Sequence, residues 1–140
     1  MHRKFPGSRG ASGFTLLEML AVIVLLGVIA TIVVKQVGGN VTKGKYGAGK
    51  AQLGELTMKV ENYILDVGVP PKHLSALLKA PANAPGWAGP YAKPSELKDP
   101  FGHPFAYQSP GKHGSYDLIF LGADGKPGGT GRNQDIGNWQ

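Results

Sequence analysis

The chain has 140 residues, enough for one domain, with a formal charge of +6, and it contains no cysteine, which excludes disulfides, thiol nucleophiles and thiolate metal sites. Removing Arg3, Lys4 and Arg9 leaves 12 basic against 9 acidic side chains, and the remaining lysines are scattered, so the charge reads as a solvated surface and not as a nucleic-acid footprint. The mean hydropathy of −0.12 averages over a division: nearly all the strong hydrophobicity lies before Lys35, whereas the later chain is polar and rich in turn-forming glycine and proline.

The first element is the stretch SGFTLLEMLAVIVLLGVIATIVV, residues 12–34, where Glu18 is the only charge from Phe14 to Val34. About 20 apolar residues rising 1.5 Å each span the hydrocarbon core of a bilayer. Basic residues before the run and none just inside it predict a single pass with the N-terminus in the cytoplasm. A secretory signal peptide or a plain anchor is the simplest reading. A signal peptide, however, has an apolar region of only about 7–15 residues followed by its small-residue cleavage site. Here the run is longer, and the small residues Ala11, Ser12 and Gly13 precede it. A peptidase acting here must therefore cut on the cytoplasmic side and leave the apolar helix on the mature chain.

Next comes KQVGGNVTKGKYGAGKAQLGELTMKVENYILDVGVPP. Glycines at 38, 39, 44, 47 and 49 each lower helix propensity by about 1 kcal/mol relative to alanine. The expectation is a weakened, even melted, section that becomes firmly helical from about Ala48. Leu53, Leu56, Val60, Tyr63 and Ile64 then recur at helical spacing and form one apolar stripe for a sheet to cover, which Pro70 and Pro71 end. HLSALLKAP, residues 73–81, reads as a short helix closed by Pro81, and the following segment is irregular, ordered where Trp87, Tyr91 and Phe101 pack inward. PFAYQS and SYDLIFLGA alternate and carry aromatic and β-branched residues, so they read as two antiparallel strands joined by a Pro-Gly-Lys-His-Gly turn. The predicted fold is α+β: a long N-terminal helix, its first half transmembrane, packed on a small antiparallel sheet with a C-terminal loop.

GFTLLEMLAVIVLLGVIA resembles the class III signal of type IV pilins and type II secretion pseudopilins. KDPFGHPFAYQSPGKHGSYDLIFLGADGKPGGTGRNQDIGNW further resembles the major pseudopilins of type II secretion, with Phe101 in place of their usual tryptophan and Lys35 where family members usually carry proline. The resemblance implies a pilin-like fold with a leader at 1–13, a transmembrane and assembly helix at 14–36, and a periplasmic domain at 37–140. Within that domain, 37–68 continues the helix and 69–140 forms loops and sheet. It implies cleavage after Gly13 by a prepilin peptidase and N-methylation of Phe14. It also implies polymerisation into a periplasmic helical filament that drives protein export across the outer membrane. Its partners would be minor pseudopilins, an inner-membrane assembly platform and a cytoplasmic ATPase. The alternatives are a type IV pilus subunit, a minor tip pseudopilin and a membrane-tethered periplasmic module that never polymerises. Type IV pilins commonly end in a disulfide-closed loop, which a cysteine-free chain cannot form.

In this setting Glu18 acquires a role. A charged residue at the centre of a membrane helix costs about 2.5–3.5 kcal/mol on insertion scales, and less near its ends. Buried among stacked helices, the carboxylate needs a cation, and the Phe14 amine freed by cleavage on an adjacent subunit is the one the resemblance implies. The alternative is a boundary residue that snorkels to the interface, aided by the helix dipole. The resemblance also implies calcium in the last loop. Asp124 and Asp135 match side-chain ligands, while Leu121 and Arg132 fall near carbonyl donors. Gln134 stands where a further aspartate is usual, and Lys126 and Arg132 add positive charge, so a weakened site is expected. Without the resemblance, Asp124 reads as a turn residue capping its own backbone. His73, His103 and His113 show no metal or catalytic spacing, Ser115 and Asp117 beside His113 imply no oxyanion hole, and no Walker-type loop is present. The sequence reads as a structural protein and not as an enzyme.

Overall fold

The computed structural model describes Gly7, Gly10 and residues 12–140. Arg3, Lys4, Arg9 and Ala11, on which the topology and cleavage readings partly rest, lie outside the described residues. The chain divides into two compact units, Met1–Gly38 and Gly39–Gln140. Helix α1, Leu16–Val67, begins in the first and ends in the second.

The first unit is one apolar stretch of helix. Every described residue from Ser12 to Gly38 is solvent-exposed, as a segment that finds its apolar surroundings outside its own chain requires. It is long and apolar enough to cross a membrane. Thr31, a hydroxyl in that stretch, donates back to the Val28 carbonyl at 2.7 Å. In hydrocarbon, where water offers no partner, that bond satisfies the group within its own helix.

In the second unit the helical stripe is as expected: Leu53, Leu56, Val60 and Tyr63 are buried and Ile64 packs at their edge. They meet a three-stranded antiparallel sheet of order β1-β2-β3, with β1 at Ala106–Gln108, β2 at Asp117–Phe120 and β3 at Ile136–Gly137. Tyr107 pairs with Leu118, and Phe120 with Ile136. Alternation along β2 sends Leu118 and Phe120, both fully buried, toward α1, while Asp117 is buried on the opposite face. The two strands read from alternation are β1 and β2; the two-residue β3 carries too little pattern to read.

The glycine-rich stretch is a correction. Residues 35–47 are helical throughout, not melted. Part of the reason is tertiary contact overriding propensity. The Lys45 ammonium lies 5.7 Å from the Phe101 ring centroid, Tyr46 packs on Phe120 at 5.4 Å, and Lys50 lies 5.0 Å over Tyr46. Gly49 has a separate purpose, because a Cβ there would fall inside the envelope of the Phe120 ring. The helix also ends before Pro70. Gly68 takes φ of +91° and donates to the Ile64 carbonyl at 2.7 Å, the left-handed stop that glycine adopts without steric cost. The expected short helix at 73–81 is a single 3-10 turn, Leu74–Leu77, and two further 3-10 turns occupy Pro94–Leu97 and Gly131–Asn133. Trp87, Tyr91 and Phe101 do pack inward against the core.

Candidate functional site

Two places concentrate polar chemistry that the core does not need. The first is the start of α1. Thr15 precedes the helix, and its Oγ1 accepts from the Glu18 backbone N–H at 3.2 Å. The Glu18 Oε2 accepts in return from the Thr15 N–H at 2.9 Å. This is a reciprocal capping box: each side chain satisfies a backbone donor that the first helical turn leaves orphaned. Thr-x-x-Glu before an apolar run is the sequence signal for it, and it places the carboxylate of Glu18 one residue from Phe14. Phe14 itself is 82 % exposed. Among the described residues, the Glu18 carboxylate is held by Thr15 at the end of an exposed apolar helix, with no cationic side chain paired to it.

The second place is the loop after β2. Gly122 holds φ of +69°, and a Cβ there would approach the Asn133 carbonyl carbon to 2.6 Å, so the turn requires glycine. The Ala123 N–H donates to the Arg132 carbonyl at 2.8 Å, which ties the two arms of the loop together. Asp124, exposed, accepts from the Lys126 N–H at 3.1 Å and so caps its own turn. Asp135 is half-buried: Oδ2 accepts from the Gly128 N–H at 2.7 Å, whereas Oδ1 is buried with no hydrogen-bond partner among the described residues. The Gln134 carbonyl accepts from the Tyr46 hydroxyl at 3.1 Å, and Leu121 sits half-buried at the mouth of the loop. Burial first, and then the negative charge of Asp135, push the Tyr46 phenol above its ordinary pKa. Among the described residues no group of three His, Asp or Glu side chains converges in a metal-holding cluster. A cation here would therefore draw on backbone carbonyls together with Asp124 and Asp135, an oxygen-only set suited to a hard ion. The unpartnered oxygen of Asp135 fits that use, since a buried carboxylate oxygen without a donor is otherwise costly.

The histidines fall into three different settings. His73 borders a cleft of ≈ 550 Å³ shared with Tyr63, Val67, Lys72 and Lys79, whose lining includes no carboxylate or second histidine. His103 lies under Gly125, 3.8 Å from the buried Asp99 carboxylate. His113 is more than a turn residue. Its Nδ1 lies 3.0 Å from Asp117 Oδ2, and its ring stacks on Trp139 with centroids 3.7 Å apart. Asp117 also accepts from the Lys112 and His113 backbone N–H groups. Burial raises the pKa of this carboxyl, but the His113 ring and the two N–H donors outweigh it and hold Asp117 below the ordinary carboxylate range. The group clasps the hairpin turn to the C-terminal residues. Sequence reading passed over Thr15, Tyr46 and this clasp, although Thr15 three positions before Glu18 and His113 four before Asp117 were visible spacings.

Two protein-family models match this chain. The model for type II secretion system protein G matches residues 36–139, and that for the prokaryotic N-terminal methylation motif matches residues 8–34. The type II secretion system core protein G of Xanthomonas campestris pv. campestris is 45% identical over 131 residues, covering 94% of this chain and 92% of that protein. The Pseudomonas aeruginosa core protein G is 39% identical over 138 residues, covering 94% and 96%. In structure, the chain resembles the crystal structure of the major pseudopilin from the type 2 secretion system of enterohaemorrhagic Escherichia coli. The TM-score is 0.56 at 25% identity, covering 72% of this chain and 91% of that one. With an N-methylation motif on an exposed apolar helix and the matching domain over nearly all the rest, the chain belongs to the type II secretion system protein G family.

Proposed function

We propose that this chain is the major structural subunit of a type II secretion pseudopilus, stored in the inner membrane and drawn into a helical filament that drives exported proteins toward the outer membrane. The N-terminus faces the cytoplasm and the second unit faces the periplasm. A prepilin peptidase removes residues 1–13 after Gly13, and Phe14 becomes the N-methylated first residue. Assembly uses an inner-membrane platform, a cytoplasmic ATPase and minor pseudopilins. The chain contributes no catalysis; its work is to hold and transmit. The observation that carries the reading is the exposed apolar helix with a single carboxylate at its start.

In lipid, the apolar residues of 16–34 face acyl chains and Glu18 is satisfied by Thr15. In the filament the same residues face neighbouring helices, and Glu18 pairs with the Phe14 amine of an adjoining subunit, which compensates a carboxylate removed from water. Glu18→Ala is expected to insert and be processed normally but to form no filaments by electron microscopy. Normal filaments from that variant would overturn the pairing. N-terminal sequencing and intact mass of membrane-extracted protein should find methylated Phe14 first; an uncut leader would favour a plain tether.

The loop after β2 takes calcium in this reading. Asp124 and Asp135 would supply carboxylate oxygens, with the Leu121 and Arg132 carbonyls and the Gln134 side chain nearby. The ion would neutralise Asp135 and cross-link the two arms of a glycine-rich loop. With Gln134 in place of a third carboxylate, binding belongs in the millimolar range. Thermal melting against calcium should show a rising Tm at millimolar concentration, and an unchanged Tm would mean that the loop holds itself without metal.

A further inference from the structure

Tyr46 stands on the glycine-rich part of α1, and nothing in the spacing of that segment sets it apart. Its hydroxyl reaches the Gln134 carbonyl, 88 positions away in sequence, at 3.1 Å. Its ring is held between the Phe120 ring, 5.4 Å away and tilted 44°, and the Lys50 ammonium. The hydroxyl is thus aimed by a fixed ring. The acceptor it has found belongs to the peptide plane joining Gln134 to Asp135. A peptide plane is rigid, so fixing its carbonyl fixes the orientation of the next Cα. That next residue carries the buried, unpartnered carboxylate oxygen of the loop. Within the loop the Gly128 N–H bond to Asp135, the Gln134 N–H bond to the Gly131 carbonyl and the pairing of Ile136 with Phe120 share in setting that orientation, and the Tyr46 hydroxyl adds the bond that reaches α1. Residues 128–134 are all exposed, and Gly128, Gly129 and Gly131 hold positive φ.

We infer that the Tyr46 hydroxyl is the tether that holds the C-terminal loop to α1 and positions Asp135 for a hard divalent cation. The cation part of this inference rests on the calcium reading of the loop given above. Coupling of this kind is reciprocal: if the tether improves calcium binding by some factor, bound calcium strengthens the tether by the same factor. Occupancy of the loop is then felt on the helix that enters the filament.

The test uses the full chain in detergent micelles, calcium chloride as the probe, and Tyr46→Phe and Tyr46→Ala as variants. Hydrogen exchange is read for residues 128–136 and for the helix around Leu53–Tyr63, and calcium affinity is read by calorimetry. A residue that only packs is fully replaced by phenylalanine, so a packing role predicts parental behaviour for Tyr46→Phe and damage only for Tyr46→Ala. The tether predicts that Tyr46→Phe keeps helix exchange at the parental rate, accelerates exchange in 128–136 about tenfold without calcium, and weakens calcium binding by a similar factor. Parental loop exchange in Tyr46→Phe overturns the tether. Faster exchange with unchanged calcium affinity overturns the positioning of Asp135. A parent protein that binds no calcium overturns the reading of the loop instead, and accelerated loop exchange in Tyr46→Phe would then still support the tether.

Discussion

The two units of this chain solve opposite problems with the same helix. Before Gly38 the helix turns apolar side chains outward on every face; Leu16 is 88 % and Leu25 is 58 % exposed. After Gly39 it buries one stripe against a sheet and leaves the other faces polar or open. The first unit therefore takes its stability from whatever surrounds it, lipid or neighbouring helices, and the second from its own core. Substitutions should separate cleanly along that line.

The largest expected effect is at Phe120, which is fully buried and touches Tyr46, Phe101 and Phe105. Phe120→Ala is expected to destabilise the second unit by about 3–5 kcal/mol, measured by denaturant melting of the chain in detergent. Leu25→Ala should leave the same transition where it was. If Leu25→Ala moved it comparably, the separation between the units would fail.

The glycines sharpen the comparison within the helix. Nothing lies within 4 Å of a Cβ built at Gly47, so Gly47→Ala should raise stability by up to about 1 kcal/mol through propensity alone. Gly49→Val meets the Phe120 ring and should cost about 1–3 kcal/mol by overpacking. Two glycines two positions apart would thus answer with opposite signs.

Smaller effects come from buried hydroxyls. Tyr107 donates to the Pro71 carbonyl at 2.6 Å and Tyr116 to the Glu61 carboxylate at 2.6 Å. Tyr107→Phe and Tyr116→Phe should each cost about 1 kcal/mol. Burial pushes the Tyr107 phenol up to about 12, and burial with the Glu61 hydrogen bond pushes Tyr116 higher still. A raised pKa favours the neutral phenol in the folded state, so stability is intact below the ordinary value of 10.0 and declines as pH rises toward about 12. The double Phe variant should flatten that decline. At the other end of the pH scale, the depressed pKa of Asp117 contributes stability above the ordinary carboxylate range that is lost as pH falls through it. Asp117→Asn should melt earlier at neutral pH and show a shallower acid limb in a Tm-against-pH series. An identical limb would place the clasp's charge outside the folding equilibrium.

How far these features could be read in advance follows from their range in sequence. Leu53, Leu56, Val60 and Tyr63 repeat at the helical period, and PFAYQS and SYDLIFLGA alternate, so each announces itself within a few residues. Thr15 and Glu18 are three apart, and their capping box was legible as a pattern although the charge of Glu18 drew attention first. Gly49 against Phe120 and Tyr46 against Gln134 join positions far apart in the chain, where periodicity carries no information. Counting glycines as helix breakers failed for that reason: propensity is local, and contacts such as Lys45 with Phe101 are not. In the last loop, Asp124 and Asp135 could be named from their motif, but the buried oxygen of Asp135 that has no donor is a matter of three-dimensional placement.

The bare backbone at Gly49, seated against the Phe120 ring, also has a mechanical meaning. Rotation or axial slip of α1 over the sheet would carry a side chain to a spot where only a hydrogen atom fits. Helix and β2 are keyed like a shaft and its hub, so within the second unit α1 and the sheet resist slipping past one another.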